Sequence, residues 1–191
     1  MDPLDLTSYL GLAAVYVLSV NVVFGLLMGA RYNPWKRWPH RRINILKLHN
    51  WTAYVGLALA AAHPIPLLFV KKPAFALVDL VYPLHSPQQP LINTLGALAL
   101  YLLAFTVITS IYRAEIGRQR WKPLHYLTYA VTLLFVIHGA WTDQHLNNSP
   151  VDLLDAEKAG ILAAGLVIVI ATIVRFRWEG EHPKFHPPVR V

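Results

Sequence analysis

Five long apolar runs, separated by short polar and basic stretches, dominate the chain: about Tyr9–Ala30, Asn44–Val70, Leu91–Tyr112, Trp121–Trp141 and Ala159–Val174. Each approaches the ~20 residues that carry a helix across the hydrocarbon layer of a bilayer. The pattern predicts an all-α fold, a polytopic membrane bundle of five transmembrane helices. The first run is too long for the apolar core of a signal peptide. Its leader, Met1-Asp2-Pro3-Leu4-Asp5, is acidic where a signal is basic, so a retained helix is expected. The longest connection, Lys71 to Pro90, holds Pro73, Pro83, Pro87 and Pro90 and reads as a loop or a surface-lying stretch. No soluble domain is left over. Residues 1–191 read as a single transmembrane unit, with 175–191 as a short tail.

Composition agrees. Of 191 residues, 55% are hydrophobic and 14% charged, against the ~25% charged of soluble domains. The absence of cysteine excludes disulfides, thiolate-bound iron–sulfur clusters and a thiol nucleophile in this chain.

The net charge of +7 first suggests an anionic partner, but its distribution gives another account. One side of the predicted bundle collects fourteen of the seventeen Lys and Arg residues, among them Arg31, Arg41, Arg42, Arg113, Arg120, Lys122 and Arg175, against three acids. The other side has Lys71, Lys72 and Lys158 against seven acids. Basic residues accumulate on the cytoplasmic side of membrane proteins, so the N-terminus is expected outside and the C-terminus in the cytoplasm. Trp35, Trp38, Trp121, Trp141 and Trp178 sit near span ends, as interfacial anchors do. Nucleic-acid binding is not expected, because topology already explains the basic charge.

Four of the nine histidines fall inside predicted spans: His49 and His63 in the second, His125 and His138 in the fourth. Ionisable groups at membrane depth are costly and mark function by default. The separations, fourteen and thirteen residues, correspond to ~21 Å and ~20 Å along a helix. The second and fourth spans run in the same direction. His49 and His125 therefore share one depth, and His63 and His138 another. Each pair could offer two imidazole nitrogens to one flat cofactor held between helices, which suits haem iron. A helical zinc site would want ligands at i and i+4, and no span offers them. A proton relay would not require two level pairs. The alternative reading from another class is a non-redox transporter or scaffold whose histidines only bond between helices. One geometric problem stands out: thirteen steps of 100° leave His138 about 140° from the face of His125. The fourth span must be tightened or kinked, and Pro123 lies too early to explain it.

At these residues the chain resembles a known family. Leu48-His49-Asn50-Trp51 and His63-Pro64, followed by Arg120-Trp121-Lys122-Pro123-Leu124-His125 and His138-Gly139-Ala140-Trp141, resemble the ferric reductase-like transmembrane domain. That superfamily includes NADPH oxidases, ferric reductases and the bacterial haem-binding subunit of the methionine sulfoxide reductase system. Thr109-Ser110-Ile111-Tyr112-Arg113 also resembles the bacterial members. The resemblance implies two b-type haems, an inner one on His49 and His125 and an outer one on His63 and His138. Single electrons would pass outward to ferric iron, oxygen or a partner reductase, so the chain would be a ferric reductase-like oxidoreductase or the haem subunit of one. It further implies a multi-pass protein of a bacterial inner membrane. The family usually has six helices, and the first is missing from this pattern. About seventeen residues follow the last run, too few for a flavin or nicotinamide domain, so no flavin is expected within the chain. A separate cytoplasmic flavoprotein or a membrane quinol is the expected donor. Arg41 and Arg120, with Arg42, Arg113 and Lys122, lie where inner haem propionates would emerge. On the outer side His85, Gln88 and Gln89 are candidates for the same task. Gly56 and Gly139 are small residues near the ligands that would let a macrocycle approach.

Overall fold

The computed structural model describes residues 2–33, 43–143, 146, 152 and 155–181, excepting the side chains of Glu179 and Glu181. Every regular element among them is helical. In chain order these are α1 (Pro3–Gly29), α2 (Ile45–Ala62), α3 (Leu77–Val81), α4 (Pro90–Ile111), α5 (Arg113–Ile116), α6 (Arg118–His125), α7 (Leu127–Trp141) and α8 (Ala156–Glu181). Two 3-10 segments, Ile65–Phe69 and Pro83–His85, lie between. Five candidate spans result: α1, α2 with the Ile65–Phe69 segment, α4, α6 with α7, and α8 up to Trp178.

Local chemistry sets the span ends. Asp2 caps α1 by accepting a bond from the Leu4 N–H at 3.0 Å, and Pro3 fills the first turn, so the helix begins earlier than the apolar run. Asn44 caps α2 through the Lys47 N–H at 3.1 Å. α2 stops at Ala62 because Pro64 and Pro66 follow, and a proline ring cannot sit in a helix interior. α8 runs to Glu181, past the predicted end at Val174. The Pro-rich connection carries the short α3 and the Pro83–His85 turn. Phe75, Pro83 and Ser86 are buried there, while Leu77, Val78, Val81 and Tyr82 face outward. That is a surface-lying stretch, as expected. Gly117, at φ +80°, makes the corner between α5 and α6 that a side chain would disfavour.

The core joins Val15 and Leu18 of α1, Leu103 and Val107 of α4, Val131 and Phe135 of α7, and Ile161 and Ile168 of α8. Outward faces are equally apolar: Leu166, Val169 and Val174 of α8 are all more than half exposed. Helices apolar on every side belong in lipid. Going round the bundle, α2 packs on α1, α1 on α8, α8 on α7 and α7 on α4, while α4 touches α2 only lightly. The helices bearing the histidines thus lie across from each other, with α1 and α4 at their flanks.

The demanded distortion of the fourth span is present, at Tyr126. The Tyr126 N–H is shared between the carbonyls of Lys122 (3.3 Å) and Pro123 (3.1 Å), and the Tyr129 N–H reaches the Tyr126 carbonyl at 3.1 Å. The two i→i+3 bonds, from Tyr126 to Pro123 and from Tyr129 to Tyr126, turn about 120° per residue instead of 100°. The break rotates α7 in the sense that brings His138 toward the face of His125. It falls directly after His125, separate from Pro123, whose missing N–H releases the Gln119 carbonyl one turn earlier.

Asn21, a buried polar residue in the middle of α1, pins that helix to α2. Its amide donates to the His49 carbonyl at 2.5 Å and to Thr52 Oγ1 at 2.8 Å. Interhelical side-chain bonds in membrane proteins average about 0.6 kcal/mol and reach about 1.7. Asn21→Ala is therefore expected to cost about 1 kcal/mol, read by denaturant titration in detergent, while the backbone carbonyl of residue 21 stays in place.

Candidate functional site

The four intramembrane histidines meet in two pairs. His49, in the first half of α2, faces His125, the last residue of α6, with ring centres 6.1 Å apart and planes at 72°. His63, at the C-cap of α2, faces His138 of α7 at 6.1 Å and 68°. Among the described residues no group of three or more His, Cys, Asp or Glu gathers to hold an ion. Each pair, among the described residues, offers two imidazoles, a set that suits a cofactor that would supply the remaining donors itself. Two metal–imidazole bonds of about 2 Å set ring centres on opposite sides of one ion roughly 6 Å apart, close to both observed separations.

Hydrogen bonds define which ring nitrogen is free. His49 Nδ1 lies 3.0 Å from the Asn21 carbonyl, and His138 Nδ1 lies 2.8 Å from the Ile92 carbonyl. A carbonyl only accepts, so both Nδ1 atoms carry protons and both Nε2 atoms keep a lone pair, the state of a metal-ligating imidazole. His125 Nδ1 faces Ser110 Oγ at 3.3 Å. His63 Nδ1 is buried against Thr7 and Gly11 of α1, and it faces the Thr7 backbone at a geometry looser than a closed hydrogen bond.

Glycines open the flanks of both pairs. A Cβ at Gly25 would sit 3.4 Å from the His49 ring, and one at Gly11 would sit 3.5 Å from the His63 ring. At Gly96 of α4 it would fall 2.7–3.0 Å from three atoms of His138. The glycines singled out in the sequence also allow close helix approach, and Gly139 lines the cavity beside His63 and His138. Gly56 admits the Leu18 side chain of α1 and Gly139 admits Ile161 of α8, so both serve helix packing. A cavity of ≈ 150 Å³ between α1, α4 and α7 reaches His63 and His138 and is lined mostly by apolar side chains such as Leu103 and Phe135.

The surrounding polar residues divide. Arg113, Arg120 and Lys122 are exposed at the His125 end of the bundle; Lys122 lies over the Tyr126 ring at 5.7 Å. Arg41 and Arg42 lie outside the described residues. Arg175, deeper in the bundle, packs against Gly29 and donates to the Tyr129 hydroxyl at 3.4 Å. At the opposite end the Gln89 side chain is committed to the backbone of Asp143, donating to its carbonyl at 2.8 Å and accepting from its N–H at 2.7 Å. Gln89 thereby ties α4 to the end of α7 and is not free for a cofactor carboxylate. The Gln88 carbonyl is held by Ser86 and Asn93. His85 is exposed, with its ring 6.5 Å from that of Tyr82.

Sequence reasoning brought out all four histidines but missed Asn21, Ser110, Gly11, Gly25 and Gly96. One signal was available. Gly11 and Gly25 are fourteen residues apart, the same separation as His49 and His63, and the two helices run antiparallel.

Neither a curated protein nor a solved structure matches the chain. The family profile of the ferric reductase like transmembrane component matches residues 10–136, from α1 to within three residues of His138, about two thirds of the chain. That match covers three of the four histidines, all of α2, α4 and α6 and most of α1 and α7, and it points to redox function in a membrane. The chain belongs to the ferric reductase-like transmembrane family.

Proposed function

We propose that this protein is a di-haem b-type membrane cytochrome that passes electrons across the bilayer. The observation that carries the reading is the equality of the two histidine pairs: same separation, similar inter-ring angle, two depths. Haem iron held between two imidazoles supplies reversible one-electron transfer. The chain's own part is to bind and tune. His49 and His125 hold the inner group, and His63 and His138 the outer one. The Asn21 and Ile92 carbonyls orient the rings of His49 and His138. Gly96 keeps a side chain out of the space of the His138 ring, while Gly11 and Gly25 leave His63 and His49 beside bare backbone. Arg120 and Arg41 pair with inner propionates.

The charge asymmetry supports an outside N-terminus and a cytoplasmic C-terminal end. In a bacterial inner membrane, electrons enter from a cytoplasmic flavoprotein or a quinol at the His49/His125 end. They leave from the His63/His138 end to ferric iron, oxygen or a partner reductase. With both imidazoles of a pair engaged, no ligand position would be left for an incoming acceptor, so transfer to it would be outer-sphere. The test is a reduced-minus-oxidised spectrum and a pyridine haemochrome of the purified chain. Two b-type haems per chain are expected. A chain expressed with ample haem that binds none overturns the reading and leaves the histidines as interhelical bonds.

A further inference from the structure

Ser110, near the end of α4, is the meeting point of three polar groups. Its Oγ lies 2.7 Å from the Thr106 carbonyl, 3.2 Å from Trp121 Nε1 and 3.3 Å from His125 Nδ1. A serine hydroxyl has one proton to give and two lone pairs to offer. The Thr106 carbonyl only accepts, so the proton goes there. The indole N–H only donates, so it takes one lone pair. What remains for His125 is the second lone pair, and Nδ1 must arrive protonated. The hydroxyl is then saturated, and Nε2 of His125 is left with the free lone pair.

Trp121 adds a second constraint. Its ring stacks on the His125 imidazole with centres 4.8 Å apart and planes 28° from parallel. Indole, hydroxyl and imidazole thus close a small cycle: the indole braces the face of the imidazole, and both donate to one oxygen. His125 ends α6, immediately before the break at Tyr126, so the brace acts where the helix is interrupted. His49 and His138 donate to backbone carbonyls, which no substitution removes. His125 donates to a side chain, so its state is set by one replaceable residue.

We propose that Ser110 is a positioning residue that locks His125 in its Nδ1–H form, with Trp121 as the brace that fixes the ring plane. This rests on the haem reading above. The test uses the full chain in lipid nanodiscs and compares the parent with Ser110→Ala and Ser110→Thr. His63→Leu and His125→Leu identify which spectral component belongs to which pair. Losing an outer-shell partner lowers metal affinity about 10–100-fold. Ser110→Ala is expected to weaken haem retention at the His49/His125 pair by that factor. It should also raise that component's midpoint potential, because a ligand without its hydrogen bond donates less electron density to iron. The other component stays where it was, and Ser110→Thr restores both properties. A readout without haem accompanies these: ¹⁵N shifts of the His125 ring in apo protein should show the Nδ1–H tautomer in the parent and a mixture in Ser110→Ala.

Parental potentials and retention in Ser110→Ala would sink the assignment while leaving the haem reading intact. Equal loss of both components would also sink it, because the effect would then be general unfolding. A parent that binds no haem overturns the underlying reading and the ligand role of His125 with it.

Discussion

His63→Leu protein is expected to purify with half the haem per chain of its parent, and the surviving haem should keep its parental spectrum. The geometry supports a selective loss. His63 sits at the C-cap of α2, where its backbone N–H bonds to the Leu59 carbonyl at 2.9 Å, and no side-chain bond contributes to that cap. Its imidazole Nδ1 has no closed hydrogen bond whose loss would disturb α1. Leucine fills much of the volume in apolar surroundings, so the helix and the bundle should persist. What goes is one of the two imidazoles that would hold the group, and His138 alone would not make up the proposed bis-imidazole site. The other pair stands about fourteen residues away, ~21 Å along the helix, and should not respond. Pyridine haemochrome gives the ratio, and low-spin electron paramagnetic resonance signals show which site is lost. On the proposed outward path, reduction of any outer acceptor should fall to background. Loss of both haems together would show that the pairs do not act as separate sites.

The second large effect should come from a residue that bonds to nothing. In Gly96→Leu both outer histidines remain, yet the outer haem should be lost as completely as in His63→Leu. A Cβ at residue 96 would already stand 2.7–3.0 Å from the His138 ring, closer than carbon and nitrogen tolerate. Either the imidazole swings away from the Ile92 carbonyl that orients it, or α4 withdraws from α7. Overpacking of this kind typically costs about 1–3 kcal/mol in stability. That is too little to unfold the bundle but enough to misplace a ligand. Gly96→Ala should show a weaker form of the same loss. A Gly96→Leu protein with parental haem content would mean that His138 is free to move and that the glycine is incidental.

The sequence was legible where the signal is one-dimensional. Five apolar runs are five spans because lipid imposes length and apolarity on each helix independently. The histidines could be paired by depth from spacing alone, since rise per residue is nearly constant. Rotation was not legible in the same way. The thirteen-residue separation required a distortion, but its position at Tyr126 depends on bifurcated bonds that no residue type announces. Contacts between distant segments were least visible. Asn21 reaches across twenty-eight positions to the His49 carbonyl, and the Ile92 carbonyl serves His138 from forty-six away. A backbone carbonyl has no sequence signature at all. Gln89 shows the opposite error: its proximity to the outer pair was readable, but not its commitment to the Asp143 backbone.

The matched spacing of Gly11–Gly25 and His49–His63 has a further consequence for how errors spread. α1 and α2 mesh like two combs with the same tooth distance, and Asn21 is the peg that sets their alignment. Sliding one helix past the other by a single turn, about 5.4 Å, would take both glycines away from both rings in one movement. A slide that brought Thr7 and Asn21 to those places would set bulkier side chains at the two ends together. A lesion that shifts the alignment in that sense would therefore disturb both histidine pairs simultaneously, whereas a lesion at one ring would disturb one. The two histidine pairs, ~21 Å apart along α2, are separate in chemistry but share a single mechanical adjustment.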